Sequence, residues 1–194
     1  AVTRWWHRIT HPEQILSSLP QAVATMLDPA DCGPAFLGLC QDTQEQAFDY
    51  PAAFFEPRTH HVPRPRPDRT SVAQAVELLK SAERPLIIAG GGVRYALAEA
   101  SLARLAKARG IPVVETIAGK GGLTHDDPVH CGPLGVIGSS SANQLAGEAD
   151  VILAVGTRLQ DFTTGSWSAF APAARFIGLN AARFDAVKHR ALPV

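Results

Sequence analysis

Residues 84–93 read RPLIIAGGGV, an apolar run that opens onto three consecutive glycines. The same grammar returns at 110–122, GIPVVETIAGKGG, and at 149–159, ADVILAVGTRL. Each segment is a short run of Val, Ile, Leu and Pro ending in glycine. Runs without polar alternation are the signature of strands buried on both faces of a parallel sheet. In such sheets ligands gather beyond the carboxyl ends of the strands, where backbone N–H groups and helix N-termini can face an anion.

Outward from these runs the spacing predicts a helix near 70–80. Thr70 or Ser71 is its cap, and Val72, Val76 and Leu79 share one face. Strands are predicted at Pro85–Ala89, 112–116, Val151–Val155 and Arg175–Leu179, and helices at 96–109 and Ser140–Glu148. Leu97, Leu102, Leu105 and Ala106 form the apolar side of the 96–109 helix, and Gly110 is its stop. A long loop is expected over 118–138. Alternating β and α elements imply a Rossmann-like α/β fold, a parallel sheet with helices on both faces and all glycine loops on one edge.

The 194 residues suffice for one substantial core with an appendage. With 46% hydrophobic and 19% charged residues the chain has a globular balance. Zero net charge and the lack of a basic stripe argue against nucleic acid or a membrane surface as partner. No apolar run reaches spanning length. Cys32, Cys40 and Cys131 are odd in number and widely spaced, which fits free thiols and a cytoplasmic location better than a disulfide framework. The chain starts without Met, runs into two tryptophans and stops at Leu192-Pro193-Val194 with no obvious closing element. It reads as a piece of a longer protein.

Three sections follow. Residues 1–56 contain a helix start at His11-Pro12-Glu13-Gln14. Ile15, Leu16, Leu19, Val23, Met26 and Leu27 recur at helical spacing, and Pro20 is expected to restart the helix. A turn follows at 31–34, then a buried strand at Ala35–Leu39. These elements cannot bury their own apolar faces and imply a larger domain. Residues 57–69 hold four prolines in thirteen positions and read as an extended linker. Residues 70–194 are the Rossmann-like domain.

The loops carry the candidate chemistry. Gly90-Gly91-Gly92 lies between a strand and a helix, but Tyr95 replaces the last glycine of the dinucleotide fingerprint. It is either a backbone approach to a phosphate or a tight turn. Gly119-Lys120-Gly121-Gly122 lacks triphosphate-loop spacing, so Lys120 either meets an anion or is solvated. Gly135-Val-Ile-Gly138-Ser-Ser-Ser141 is either an anion cradle or a serine cap. Arg158 in Gly156-Thr157-Arg158 either takes a phosphate or carboxylate or pairs with an acid such as Asp161. His125, Asp126, Asp127, His130 and Cys131 have no zinc spacing, and 125–128 reads as a turn. No hydrolase elbow is present.

Taken in order, these segments resemble the central domain of thiamine-diphosphate-dependent enzymes, such as acetohydroxyacid synthase, glyoxylate carboligase and pyruvate oxidase. The resemblance covers roughly residues 70–190. Residues 1–56, with Gly-Pro-Ala-Phe-Leu-Gly-Leu-Cys-Gln-Asp, look like the end of the preceding pyrimidine-binding domain. Arg158-Leu-Gln-Asp-Phe-Thr-Thr-Gly-Ser-Trp167, Gln41-Asp, Gln46-Ala-Phe-Asp-Tyr-Pro51 and Phe184-Asp-Ala-Val-Lys-His189 are similar to the trihydroxycyclohexanedione hydrolases of myo-inositol breakdown. Those enzymes open a cyclic 1,2-dione to 5-deoxyglucuronate.

The resemblance implies thiamine diphosphate and Mg²⁺ in a full-length, homo-oligomeric parent. The activating Glu would lie in an earlier segment and the Gly-Asp-Gly metal motif in a later one. No Gly-Asp-Gly occurs in this sequence. The chain alone is therefore expected to be inactive, with no catalytic or metal-binding residue, and its partners would be the two other domains. Carried over by position, cofactor-binding residues would be Gly90, Gly91, Gly92, Thr116, Gly119, Lys120, Gly135, Gly138, Gly156, Thr157, Arg158 and Asn180. Some relatives hold FAD or ADP there, which is the alternative reading. Asn180 stands where flavin relatives often place Asp, and Gly135-Val-Ile-Gly138 lacks a polar residue between its glycines. Both departures weaken the flavin reading.

Overall fold

The computed structural model describes residues 2–194. The chain divides into two compact units between Pro65 and Arg66.

The first unit opens on a strand that the sequence reading missed, β1 (Trp5–Ile9). A 3₁₀ turn (Pro12–Gln14), α1 (Ile15–Met26), β2 (Ala35–Leu39), α2 (Gln41–Gln44) and a second 3₁₀ turn (Ala52–Phe55) follow. The two strands pair in parallel from Trp5 opposite Ala35 to Ile9 opposite Leu39. Pro20 lies inside a continuous α1 and does not restart it, because the packing of α1 on both strands outweighs the one missing backbone donor. The buried α1 positions are Ser18 and Ala22, while Leu19 and Met26 are exposed. Small residues let the helix approach the strands, and the Ser18 hydroxyl meets His7 Nδ1 at 2.8 Å. The other face of the strand pair leaves Trp6 and Phe36, which lie opposite each other, exposed. Tyr50 stacks on Phe54 and meets Phe48 and Phe55 edge-on, with ring centroids 5.0–6.0 Å apart.

In the second unit α3 (Arg69–Lys80) leads to β3 (Pro85–Ala89), α4 (Gly92–Tyr95), α5 (Glu99–Arg109) and β4 (Val113–Glu115). β5 (His130–Pro133), α6 (Ser140–Glu148), β6 (Val151–Val155) and α7 (Asp161–Thr164) come next. β7 (Arg175–Leu179), α8 (Arg183–Ala186) and β8 (Leu192–Pro193) complete it. The six strands are parallel in the order β5-β4-β3-β6-β7-β8. Numbered from β3, this is the doubly wound order 3-2-1-4-5-6.

Both sheet faces are covered. Ile87, Val113, Val151, Leu153 and Ile177 point to one side, where Leu102 and Ala106 of α5 and Ala75, Leu78 and Leu79 of α3 meet them. Leu86, Ile88, Val114, Ile152 and Phe176 point to the other, against Ala142 and Ala146 of α6 and Phe170. Each large side chain so buried contributes about 1.5–3 kcal/mol.

Four details differ from expectation. The cap of α3 is Asp68, whose carboxylate accepts from the N–H groups of Thr70 and Ser71 at 2.9 and 3.0 Å. Its packed face is Ala75, Leu78 and Leu79, not Val72 and Val76, which are exposed. The helix expected over 96–109 is broken at Leu97, which has φ 53° and is exposed; α4 precedes the break and α5 follows it. The loop expected over 118–138 contains β5, and 192–193 forms an edge strand on β7. Gly110 closes α5 with φ 63° as expected. Asp68→Ala should cost about 1 kcal/mol of stability in urea unfolding, the worth of one cap. A Thr70→Ala change of equal size would mean that the cap is Thr70 after all.

Asp150 ties the start of β3 to β6 by accepting the N–H groups of Glu83 and Arg84 at 2.8 and 2.9 Å. Burial alone would raise its pKa, but these backbone donors prevail and hold it below the ordinary carboxylate value.

Candidate functional site

Connections run outward from β3 to β4 and β5, then return to β6. The reversal makes β3 and β6 the switch point, beyond whose carboxyl ends a doubly wound sheet takes its ligand. The loops following these two strands carry Gly90, Gly91, Gly92, Gly156, Thr157 and Arg158. Here they lie on each other. The Gly90 N–H donates to the Val155 carbonyl at 2.8 Å and the Gly92 N–H to the Gly156 carbonyl at 2.9 Å. Val93 and Arg94 donate back to Gly90 and Gly91, both at 3.1 Å. A Cβ on Gly156 would stand 2.5 Å from Gly92 Cα, so backbone meets backbone with no intervening side chain.

The loop after β4 is likewise closed on itself. Thr116 receives the Gly119 N–H on its hydroxyl at 3.1 Å, and Gly122 donates to the Gly119 carbonyl at 3.0 Å. Gly121 donates to the Glu115 carboxylate at 3.1 Å. Glu115 is buried, at 4% exposure, and was not a sequence candidate. Its other neighbours are Lys120 Nζ at 3.9 Å and His130 Nε2 at 3.5 Å. The His130 contact is too long for a good hydrogen bond, and Nε2 is buried without a partner. Lys120 itself is exposed, with 80% of its side chain in solvent.

After β5, Gly135 is clamped in both directions by Asn143. Its N–H donates to Asn143 Oδ1, and its carbonyl accepts from Nδ2, both at 2.9 Å. Val136 donates to the Phe162 carbonyl, Gly138 to the Gly135 carbonyl and Ser139 to the Pro133 carbonyl, at 2.8–2.9 Å. Ser139 caps α6 through the Ala142 N–H. After β6, the Thr157 hydroxyl accepts from Leu159 and is buried. Asn180, after β7, donates to the Thr157 carbonyl at 2.9 Å and accepts from the Ala182 N–H at 3.0 Å.

Thus the fold brings every sequence candidate to one edge, and the backbone N–H groups of Gly90, Gly92, Thr116, Gly119, Gly135, Gly138, Gly156 and Asn180 donate within the chain. Arg158 is exposed, and it makes no ion pair with Asp161 among the described residues. Asp161 instead accepts from Ser166, and the Arg158 carbonyl accepts from Lys188, which also pairs with Asp185 at 2.8 Å. The loop tips are apolar: Tyr95, Ile117, Val136, Ile137 and Phe162 are each exposed.

Residues 125–128 form the expected turn, with the Asp127 N–H on the Thr124 carbonyl, and His130 and Cys131 begin β5, the His130 N–H reaching back to the Asp127 carbonyl. Lys107, 2.7 Å away, holds the Asp127 carboxyl below its ordinary pKa. Among the described residues no group of three His, Cys, Asp or Glu could hold a metal ion, and no helix is long and apolar enough to cross a membrane. The three cysteines are free.

Comparison with known proteins bears on this edge. Residues 72–194 match the family described as "Thiamine pyrophosphate enzyme, central domain". The whole chain aligns with proteins named 3D-(3,5/4)-trihydroxycyclohexane-1,2-dione hydrolase. Identity is 41% to that of Listeria monocytogenes serotype 4b (strain F2365). It is 42% to that of Bacillus velezensis (strain DSM 23117 / BGSC 10A6 / LMG 26770 / FZB42) and 40% to that of Geobacillus thermodenitrificans (strain NG80-2). Each alignment covers 100% of this chain and 30% of the relative, so the chain spans under a third of their length.

Proposed function

This chain belongs to the thiamine pyrophosphate enzyme family, whose central domain it carries over residues 72–194, and from that premise we propose that it is a scaffold segment of a dione hydrolase. The parent would be a thiamine-diphosphate- and Mg²⁺-dependent enzyme of myo-inositol breakdown that opens trihydroxycyclohexane-1,2-dione to 5-deoxyglucuronate. Residues 1–56 would be the end of its pyrimidine-binding domain, 57–69 a linker and 70–194 the central domain. Support for the substrate is the likeness over the full chain to hydrolases named for that dione.

Support for the scaffold role is the closure of most of the glycine edge on itself. A phosphate cradle needs backbone N–H groups pointing at the ligand. Those of Gly90, Gly92, Gly119, Gly121, Gly135, Gly138 and Gly156 all donate within the protein. Asn180, the position that would receive a ribose, holds Thr157 and Ala182. These internal hydrogen bonds weigh against a flavin or adenine nucleotide at this edge, and among the described residues no group of three His, Cys, Asp or Glu could hold Mg²⁺. The exposed apolar loop tips suit contact with the parent's other domains, whose association in a cytoplasmic homo-oligomer would supply the chemistry.

An absorbance spectrum with a thermal-shift screen against FAD, ADP and NAD tests the scaffold role. At roughly a hundredfold excess over Kd a ligand adds about 2.7 kcal/mol, which moves the Tm of a chain this size by roughly 5–10 °C. The expected result is a colourless protein and no shift. Flavin bands or such a shift would restore the nucleotide-binding alternative. For the parent, the full-length protein should convert the cyclic dione and leave pyruvate and glyoxylate unchanged. Failure on the dione would end the substrate assignment.

A further inference from the structure

At the amino end of the six-stranded sheet, opposite the glycine loops, lies an open cleft of about 640 Å³. Its floor is Leu78 of α3, Pro172 and Phe176 of β7, and its walls carry Arg175, His189 and Arg190. Two guanidinium groups and an imidazole surround an apolar floor, and no carboxylate is among the lining residues. Arg175 spends one N–H on the Ser81 hydroxyl at 3.2 Å, which leaves most of its fork unused.

The backbone beside the cleft is unusual. Six described non-glycine residues have positive φ, and four of them meet here: Ser166 (54°), Trp167 (66°), His189 (53°) and Arg190 (57°). Left-handed backbone is disfavoured for residues with a side chain, and persists where the surroundings over-determine it. The surroundings are aromatic. Trp167 stacks on the His189 ring with centroids 4.3 Å apart and planes 15° from parallel, and Phe176 meets His189 edge-on at 5.1 Å. This stack fixes His189, and the left-handed step that follows turns Arg190 to the cleft wall. The arrangement holds cations at the rim of an apolar hollow without neutralising them.

We propose that this cleft binds a small organic anion, an oxyanion head on an apolar or ring body. The head would take forked hydrogen bonds from Arg175 and Arg190, since guanidinium matches the geometry of carboxylate and phosphate alike. The body would cover Leu78, Pro172 and Phe176.

Calorimetry on the 194-residue chain with phenyl phosphate, benzoate and inorganic phosphate tests this. Saturable one-site binding of at least one organic anion is expected, and the tighter of the two identifies the preferred head. R175Q and R190Q should each weaken it roughly tenfold, the worth of one charge-assisted contact. R104Q, on the exposed side of α5, should bind as wild type. No saturable binding of either organic anion overturns the proposal, as does unchanged affinity in both R175Q and R190Q. Inorganic phosphate binding as tightly as phenyl phosphate overturns the role given to the apolar floor.

Discussion

Gly156→Ala should destabilise the protein by about 3 kcal/mol, the combined scale of backbone strain and overpacking. Two penalties coincide at this position. The residue has φ 57°, and its added methyl would stand 2.5 Å from Gly92 Cα and 2.9 Å from the Val93 nitrogen. Neither atom belongs to a side chain that can swing away. Relief requires parting the loops that follow β3 and β6, which would strain the hydrogen bond from Gly92 to the Gly156 carbonyl. Gly110→Ala is the internal control. It has a similar φ of 63° but nothing within 4 Å of the new methyl, so only the left-handed penalty of about 1–2 kcal/mol applies. Urea unfolding of the two variants separates close approach from backbone preference. Equal losses would mean that the loops move apart freely, and the closed crevice would no longer support a scaffold.

The elements legible in the sequence were those whose own residues specify them. β3, β6 and β7 are dense in Val, Ile and Leu, and α6 has a serine cap and small residues on its packed side; all four have the predicted bounds. The missed strands have weak local signals. His130-Cys-Gly-Pro133 contains two strand breakers, and it becomes β5 because Val113 and Leu134 donate across the β4 edge to Val129 and Glu115. β8 is two residues long, one of them proline. In β1, Trp5-Trp-His-Arg-Ile9 does alternate in burial, but its two adjacent aromatics mask that period in so short a run.

For the edge itself, the glycine positions were readable and their hydrogen-bond partners were not. Whether Gly92 faces a phosphate or Gly156 depends on the loop after a strand that lies far along the chain. Asn143 illustrates the same limit. Its side chain clamps Gly135 eight residues away, yet in sequence it is one more polar residue on a helix. Glu115 had a better signal, as the sole acid in an apolar run that ends at a ligand edge. A carboxylate there must either be solvated or find donors.

Glu115 did find donors, and the second large effect follows. Glu115→Ala should cost about 2–4 kcal/mol, because it removes the acceptor of the Gly121 N–H and leaves a cavity where a buried side chain stood. The carboxylate is 4% exposed, so water does not substitute for it at the wild-type positions. Glu115→Gln keeps the shape and an acceptor for Gly121 and should lose only about 1 kcal/mol. Lys120→Ala should fall within about 0.5 kcal/mol of wild type, since that side chain is solvated and 3.9 Å from the carboxylate. The test in urea unfolding is the ordering: Glu115→Ala worst, Glu115→Gln intermediate and Lys120→Ala near neutral. Amide exchange adds a local readout: Gly121 should lose protection in the alanine variant and keep it in the glutamine variant. If Glu115→Ala is as mild as Lys120→Ala, the 116–122 loop is held by its own turns, and Glu115 is a buried acid whose partner lies beyond this chain.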